Sequence, residues 1–284
     1  TVNCVGLIQN GGTLNANTAS ITSSGSVAVT NGSFVEATST LTMSGAGTTI
    51  QFISPRQPHD LVISAAGTVS IDTSDLSVGN TLTVNLGATF ATNSTSLVVT
   101  GATSVAGTLT GSTAPDSMSL NGGTTATGRI NLNGGNLSTT SLTVSGVPGL
   151  VASGSETVSV TGNVDFANVG DNFTEVNSTF ITAGANTTLN APQETFYNLL
   201  VNKAALPAPP YTTTLSSNLT VSKELRFDQG VLSAGAFTIN FQGDTWRNNI
   251  GSDAFNSGTG MVDFAPPVPI AISLYGSTTF NDFR

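Results

Sequence analysis

Charge is what this sequence has least of. Only 8% of its 284 residues are charged, and seven Lys and Arg are outnumbered by 16 Asp and Glu, for a net charge of −9. The phosphate contacts that dominate nucleic-acid affinity then have no basic patch to come from, and attachment to anionic lipid is opposed for the same reason. No run of about 18 apolar residues occurs, so no membrane-spanning helix is predicted. Cysteine is reduced to Cys4, which has no partner for an internal disulfide, and histidine to His59. A metal site built from His and Cys is excluded by number alone. Also missing are the blocks of Glu, Lys or Arg that keep a disordered tail solvated, while 38% of residues are hydrophobic, so the chain is predicted to fold.

What is abundant is Gly, Ser, Thr and Asn, which together make up nearly half of the chain. β-Branched Thr, Val and Ile between Gly and Asn turns predict strands with almost no helix. A chain that opens at Thr1 without Met is read as exported after loss of a leader, or as a piece of something longer.

Internal repeats set the architecture. A bulky apolar residue, six residues, a second apolar residue, three residues and then Gly recur at Leu14/Ile21/Gly25, Phe34/Leu41/Gly45, Phe90/Leu97/Gly101, Val151/Val158/Gly162, Phe173/Phe180/Gly184 and Leu232/Ile239/Gly243. Phe255/Val262 follows with Pro266 where the Gly would stand. In four of these units another Gly (Gly12, Gly32, Gly149 or Gly230) stands two residues ahead, so both ends are punctuated by a residue that tolerates positive φ. Residues 12–29 align with 32–49 without a gap, a period of about one coil of a β-solenoid. Larger blocks echo one another too: 34–85 with 173–230, and a third from Trp246 to Arg284 that stops in mid-motif. Segments such as 81–84, 97–100, 141–144 and 157–160 alternate or nearly alternate polar and apolar residues, as strands with one buried face do.

The prediction is therefore an all-β chain, a parallel β-helix of roughly 20-residue coils over 1–284, with a seam near 165–172 and Phe and Leu stacked in internal columns. Tandem β-sandwiches are the alternative, because short strands with regular Gly turns read the same way locally; the gapless copy favours the solenoid. Prolines cannot donate to a strand ladder, so Pro207, Pro209 and Pro210 and the cluster Pro266, Pro267 and Pro269 should leave the solenoid body as loops.

The order Trp246-x-Asn248, then GTGxVxF at 258–264, then STTF at 277–280, with alternating Thr/Val strands, resembles a repeat of large secreted bacterial surface proteins with parallel β-helix folds, of the filamentous-adhesin and autotransporter-passenger kind. The resemblance covers 173–284 best and 34–85 less well. It implies fold and an extracellular or cell-surface location more than any activity.

Catalytic constellations are sparse. His59 and Asp60 are adjacent, and side chains of neighbouring strand residues point to opposite faces; with no nucleophile elbow in the chain, no Ser-His-Asp triad is predicted. Cys4 reads as a structural or intermolecular thiol. Asp72 with Asp75, and Asp165 with Asp171, match no calcium loop and read as turn caps. Glu156, Asp165, Asp171 and Glu175 lie close in sequence, as the carboxylates of a carbohydrate-active β-helix would, yet at a spacing near random. Arg56, Arg226 and Arg247 with Trp246 could form a sugar or peptide patch, but Trp246 reads better as packed beneath the loop after it. Thr-x-Thr at 81–83 and 108–110 resembles ice-binding faces but does not recur at coil spacing. The NxS/T triplets follow from composition.

Three readings remain. The favoured one is a non-enzymatic structural protomer of a bacterial surface filament, sheath or layer, partnered by itself through solenoid ends and strand edges. The others are an adhesin stalk meeting a host surface or polysaccharide through its prolyl loops, and a carbohydrate-active enzyme. No cofactor is expected. The candidate contact residues are Cys4, Pro207, Pro209, Pro210, Trp246, Arg247, Pro266, Pro267, Phe280 and Phe283.

Overall fold

A computed structural model describes residues 1–166, 170–204 and 210–284. Among them the chain is all-β, with parallel strands stacked as a β-solenoid of about 21-residue coils, and the only helix is a single 3₁₀ turn, Ser252–Ala254. The chain divides into two compact units, 1–138 with 149–151, and 139–148 with 152–284. Residues 167–169 of the expected seam, and Pro207 and Pro209, lie outside the described residues.

In the first unit a coil is three short strands separated by turns. Asp60–Ile63, Thr68–Ile71 and Leu76–Val78 make one coil; Leu82–Val84, Thr89–Ala91 and Leu97–Val99 make the next, each strand parallel to the one a coil below. Short strands leave one or two inward positions each, and the register stacks them: Ile21, Leu41, Leu61 and Leu82 in one column, Leu76, Leu97 and Met118 in another. All of these are buried. Fully burying such a side chain contributes roughly 1.5 to 3 kcal/mol, so every coil adds its own increment and leans on its neighbours.

The repeat positions found in the sequence are inward ones except Val151, the register partner of the outward Asn131, and all are buried except the part-exposed Leu14. The 20-residue copy is two successive coils, with Leu14 paired to Phe34 and Ile21 to Leu41. The gapless alignment breaks after Gly45, since Val27 pairs with Ile50. The turn at 44–47 is longer than its counterpart and carries the next strand further along.

Of the trailing glycines of the repeat, Gly184 has the expected positive φ, +67, and the other five serve a different purpose. Gly25, Gly45, Gly101, Gly162 and Gly243 do not have positive φ. They sit where the coil below comes too close for a side chain: a Cβ on Gly45 would stand 1.8 Å from the Ser24 carbonyl oxygen, and one on Gly25 1.7 Å from that of Val5. Gly47, by contrast, has φ +68 and open space around it. Gly45→Ala is therefore expected to lower unfolding stability by about 1 to 3 kcal/mol, the cost of overpacking a close contact. Gly47→Ala should cost about 1 kcal/mol, from its left-handed backbone. Urea midpoints measured on both variants check the order; G47A as damaging as G45A would mean that backbone dihedral, not coil approach, governs these turns.

In the second unit the strands again fall on three faces, and the core turns aromatic. Phe166, Phe173, Phe180 and Phe196 pack with ring centroids 5.0 to 6.2 Å apart. In one column a phenylalanine stands over another, Phe241 over Phe264, with the rings meeting edge-on at 73°. Elsewhere the rings meet across the interior, because Phe180 stacks on Val158 and Leu199 while its ring neighbours come from other faces. The strand Met261–Phe264 ends before the prolyl segment, and Pro267 and Pro269 are exposed in a stretch without strand structure that resumes at Ser273–Tyr275.

Outward positions carry mostly Thr, Ser and Asn. As the sequence predicted, Thr-x-Thr does not recur in successive coils: Thr40-x-Thr42 and Thr81-x-Thr83 share a column, but Ser20-x-Thr22 precedes the first and Asp60-x-Val62 lies between them. The array is broken by Asp60 and Val62, so it presents no continuous hydroxyl lattice.

Candidate functional site

The last two coils of the second unit hold most of the predicted contact residues. Trp246 lies in Thr245–Asn248 with its side chain turned inward and 1% exposed. Its ring meets Phe227, Phe241, Phe255, Phe264 and Phe280 at centroid distances of 5.3 to 5.9 Å, and its indole N–H donates to Thr278 Oγ1 at 3.3 Å. Phe280 lies over this cluster and touches Phe283, 5.9 Å away. Phe264, Ile272, Leu274, Phe280 and Phe283 line an apolar cavity of about 210 Å³. Leu274 stacks in register on Trp246, yet is 56% exposed, and Phe283 is 64% exposed. Inward positions of this last coil are thus left uncovered.

The first coil of the first unit is likewise paired on one side only. Val2–Cys4 pairs with Ser20–Ser23, and Leu7–Asn15 with Val27–Val35; among the described residues neither has a second strand partner. Val2, Val5 and Ile8 are 53%, 83% and 74% exposed. Cys4 is a half-buried free thiol whose Sγ donates weakly to the Thr22 carbonyl, 3.6 Å away. The structure therefore places Cys4 in one unit, and Trp246, Arg247, Phe280 and Phe283 in the other. Pro266 and Pro267 follow directly on Phe264, which lines the cavity, and Pro210 is exposed outside any strand.

The His59 and Asp60 side chains do not diverge as expected. His59 precedes the strand Asp60–Ile63, where strand alternation does not apply, and its Nδ1 lies 3.0 Å from Asp60 Oδ2. The other Asp60 oxygen accepts from the backbone and hydroxyl of Thr81 and from Asn80, at 2.6 to 3.0 Å. Burial alone would raise the Asp60 carboxyl, but the bonds from Thr81, His59 and Asn80 outweigh it and hold it below its ordinary value. The pair ties one coil to the next. Asp75 and Asp165 also bond across coils, to the Ser96 N–H and to Asn190, where turn caps were expected.

Of the clustered carboxylates, Glu156 accepts the backbone N–H groups of Ser153 and Gly154 and closes its own turn. Glu194, which sequence reasoning passed over, accepts the N–H groups of Asn172 and Phe173 at 2.9 and 3.0 Å. Burial raises its pKa against those bonds. Burial, and then the nearby Asp171 and Glu194 charges, push Glu175 up to about 7. A second unforeseen group is Lys203, 1% exposed, whose Nζ donates to the Ala183 carbonyl at 3.0 Å and to Thr187 Oγ1 at 2.7 Å. No carboxylate pairs with it among the described residues, and burial lowers it to about 8. Its isolation was the available signal: Lys203 is the only basic residue between Arg129 and Lys223.

No described helix is long and apolar enough to cross a membrane. The chain matches no protein-family model, no curated protein and no solved structure.

Proposed function

We propose that this protein is a non-enzymatic structural protomer of a bacterial surface filament, sheath or layer, joined to further copies of itself through the ends of its β-solenoid. The observation that carries the reading is Leu274, an inward core position stacked on Trp246 and yet more than half exposed beside an open apolar cavity. A parallel coil presents a row of unpaired N–H and C=O groups along its edge, and native proteins blunt such edges with charge, proline or a covering element. Here Val2, Val5 and Ile8 at one edge, and Leu274 and Phe283 at the other, leave apolar area exposed. The low charge and the polar Thr, Ser and Asn surface add little electrostatic opposition to association. Extracellular placement is supported by the repeat pattern and the composition.

The test is electron microscopy of the isolated chain with light scattering over a dilution series. Filaments or end-joined particles that grow with concentration are expected, and Leu274→Asp should abolish them while leaving the far-UV circular dichroism of the strands unchanged. Single particles at every concentration would overturn the reading.

A further inference from the structure

We propose that one outward face of the second unit, built around Arg226, Arg247 and Tyr275, binds a carbohydrate chain bearing carboxylate groups. The face is set by register. Its two outward columns begin with Thr157 and Ser159, pass through Thr179 and Ile181, then Asn198 and Leu200, and continue as Glu224 and Arg226, Thr245 and Arg247, Ser273 and Tyr275. Small polar and aliphatic residues suffice for the early coils. The later ones replace them with long charged and aromatic side chains that coil stacking does not require. Three of the seven basic residues of the whole chain, Lys223, Arg226 and Arg247, fall on the strands of these two coils.

The Arg226 and Arg247 backbones are direct register partners, about 4.8 Å apart as neighbouring strands are. Placing like charges opposite one another is unfavourable, and a carboxylate accompanies each guanidinium group. Arg247 Nε donates to Glu224 Oε1 at 3.2 Å, and Arg226 Nε faces Asp228 Oδ2 at 3.2 Å. Both carboxylates take the Nε side. Among the described residues no hydrogen bond or ion pair engages the Nη atoms, so both planar donor forks stay available on this face, and such a fork recognises a carboxylate through paired bonds. The Arg247 guanidinium also lies over the Tyr275 ring, 4.6 Å from its centroid, which fixes the ring while leaving Tyr275 48% exposed. An exposed, immobilised tyrosine ring beside hydrogen-bonding groups suits the apolar face of a sugar.

The rest of the molecule narrows the ligand class. With net charge −9 and with Glu224, Asp228 and Asp244 among these cations, the face has no long-range pull on a phosphate polymer. Recognition must come from short-range bonds and ring stacking, which an extended acidic glycan supplies repeatedly along a flat sheet.

The experiment measures binding of oligogalacturonate to the full chain by calorimetry, beside a neutral cello-oligosaccharide and a sulfated oligosaccharide of similar length. Binding of oligogalacturonate at least tenfold tighter than of either other glycan is expected. Arg226→Gln, Arg247→Gln and Tyr275→Ala should each weaken it tenfold or more, with Arg56→Gln in the first unit as an unaffected control. The pair Arg226→Lys and Arg247→Lys keeps the charge and removes the forks, so it should also weaken binding; melting curves confirm that each variant is folded. Equal binding of the neutral glycan, preference for the sulfated one, retention of affinity in the double lysine variant, or no binding at all would each overturn the proposal.

Discussion

Trp246→Ala should lower the unfolding stability of the second unit by about 3 to 5 kcal/mol, the range for deleting a large buried aromatic side chain. Trp246 is the shared neighbour of five phenylalanine rings and stacks between Leu225 and Leu274, so its removal leaves a void that no single neighbour can fill. Because each coil of a solenoid leans on the next, the loss should be felt first in the coils from Phe227 onward. Denaturation followed by far-UV circular dichroism is expected to show an earlier transition or a separate low-denaturant phase. Trp246→Phe, which keeps most of the volume, should recover more than half of the loss. An unchanged transition in the alanine variant would show that the aromatic cluster is not what stabilises these coils.

The second large effect is a stability minimum near neutral pH. Lys203 titrates at about 8 in the folded chain against 10.5 ordinarily, so between those values the unfolded chain holds a proton that the native one has lost, and stability rises with pH. Glu175 is displaced the other way, from 4.5 to about 7. Its contribution to stability is complete below pH 4.5 and is lost as pH rises through 7. At 1.36 kcal/mol per unit, the Lys203 limb amounts to about 3 kcal/mol; the Glu175 limb, part-exposed to solvent, is smaller, about 1 to 2 kcal/mol. Lys203→Met should raise stability at pH 7 by about 1 to 2 kcal/mol, as replacing a buried charge by an apolar side chain does, and erase the alkaline limb. Glu175→Gln should shrink the acid limb, leaving the part that the raised Glu194 contributes, and keep the alkaline one intact. Unfolding free energies from pH 4 to 10.5 on the three proteins decide this; an alkaline rise that survives in the methionine variant would place its origin elsewhere.

These two effects mark different degrees of legibility in the sequence. Trp246 announced itself as the single tryptophan in a block of recurring phenylalanines, and its inward position follows from alternation in Thr245–Asn248. Lys203 and Glu194 did not, because each is buried by residues one coil away: Thr187 and Ala183 for the lysine, Asn172 and Phe173 for the glutamate. Local sequence around 203 or 194 resembles any other turn in the chain. The same holds for Gly45, whose punctuating role was visible while its reason, the Ser24 carbonyl of the preceding coil, was not.

The sequence by itself determined that this chain is all-β, that it coils with a period near 20 residues, and which apolar positions point inward. Those properties rest on strand propensity, alternation and repetition, which are local or periodic and can be read along a line. Only the tertiary structure decided which outward side chains stand together, where the core is left open, and which charges are buried. Arg226, Arg247 and Tyr275 become neighbours solely through register, and a turn lengthened by a few residues, as after Gly45, moves the pairing that follows. Stacking distance across coils is about 4.8 Å however many residues separate the partners along the chain, so the surface is written by turn lengths that no period reveals.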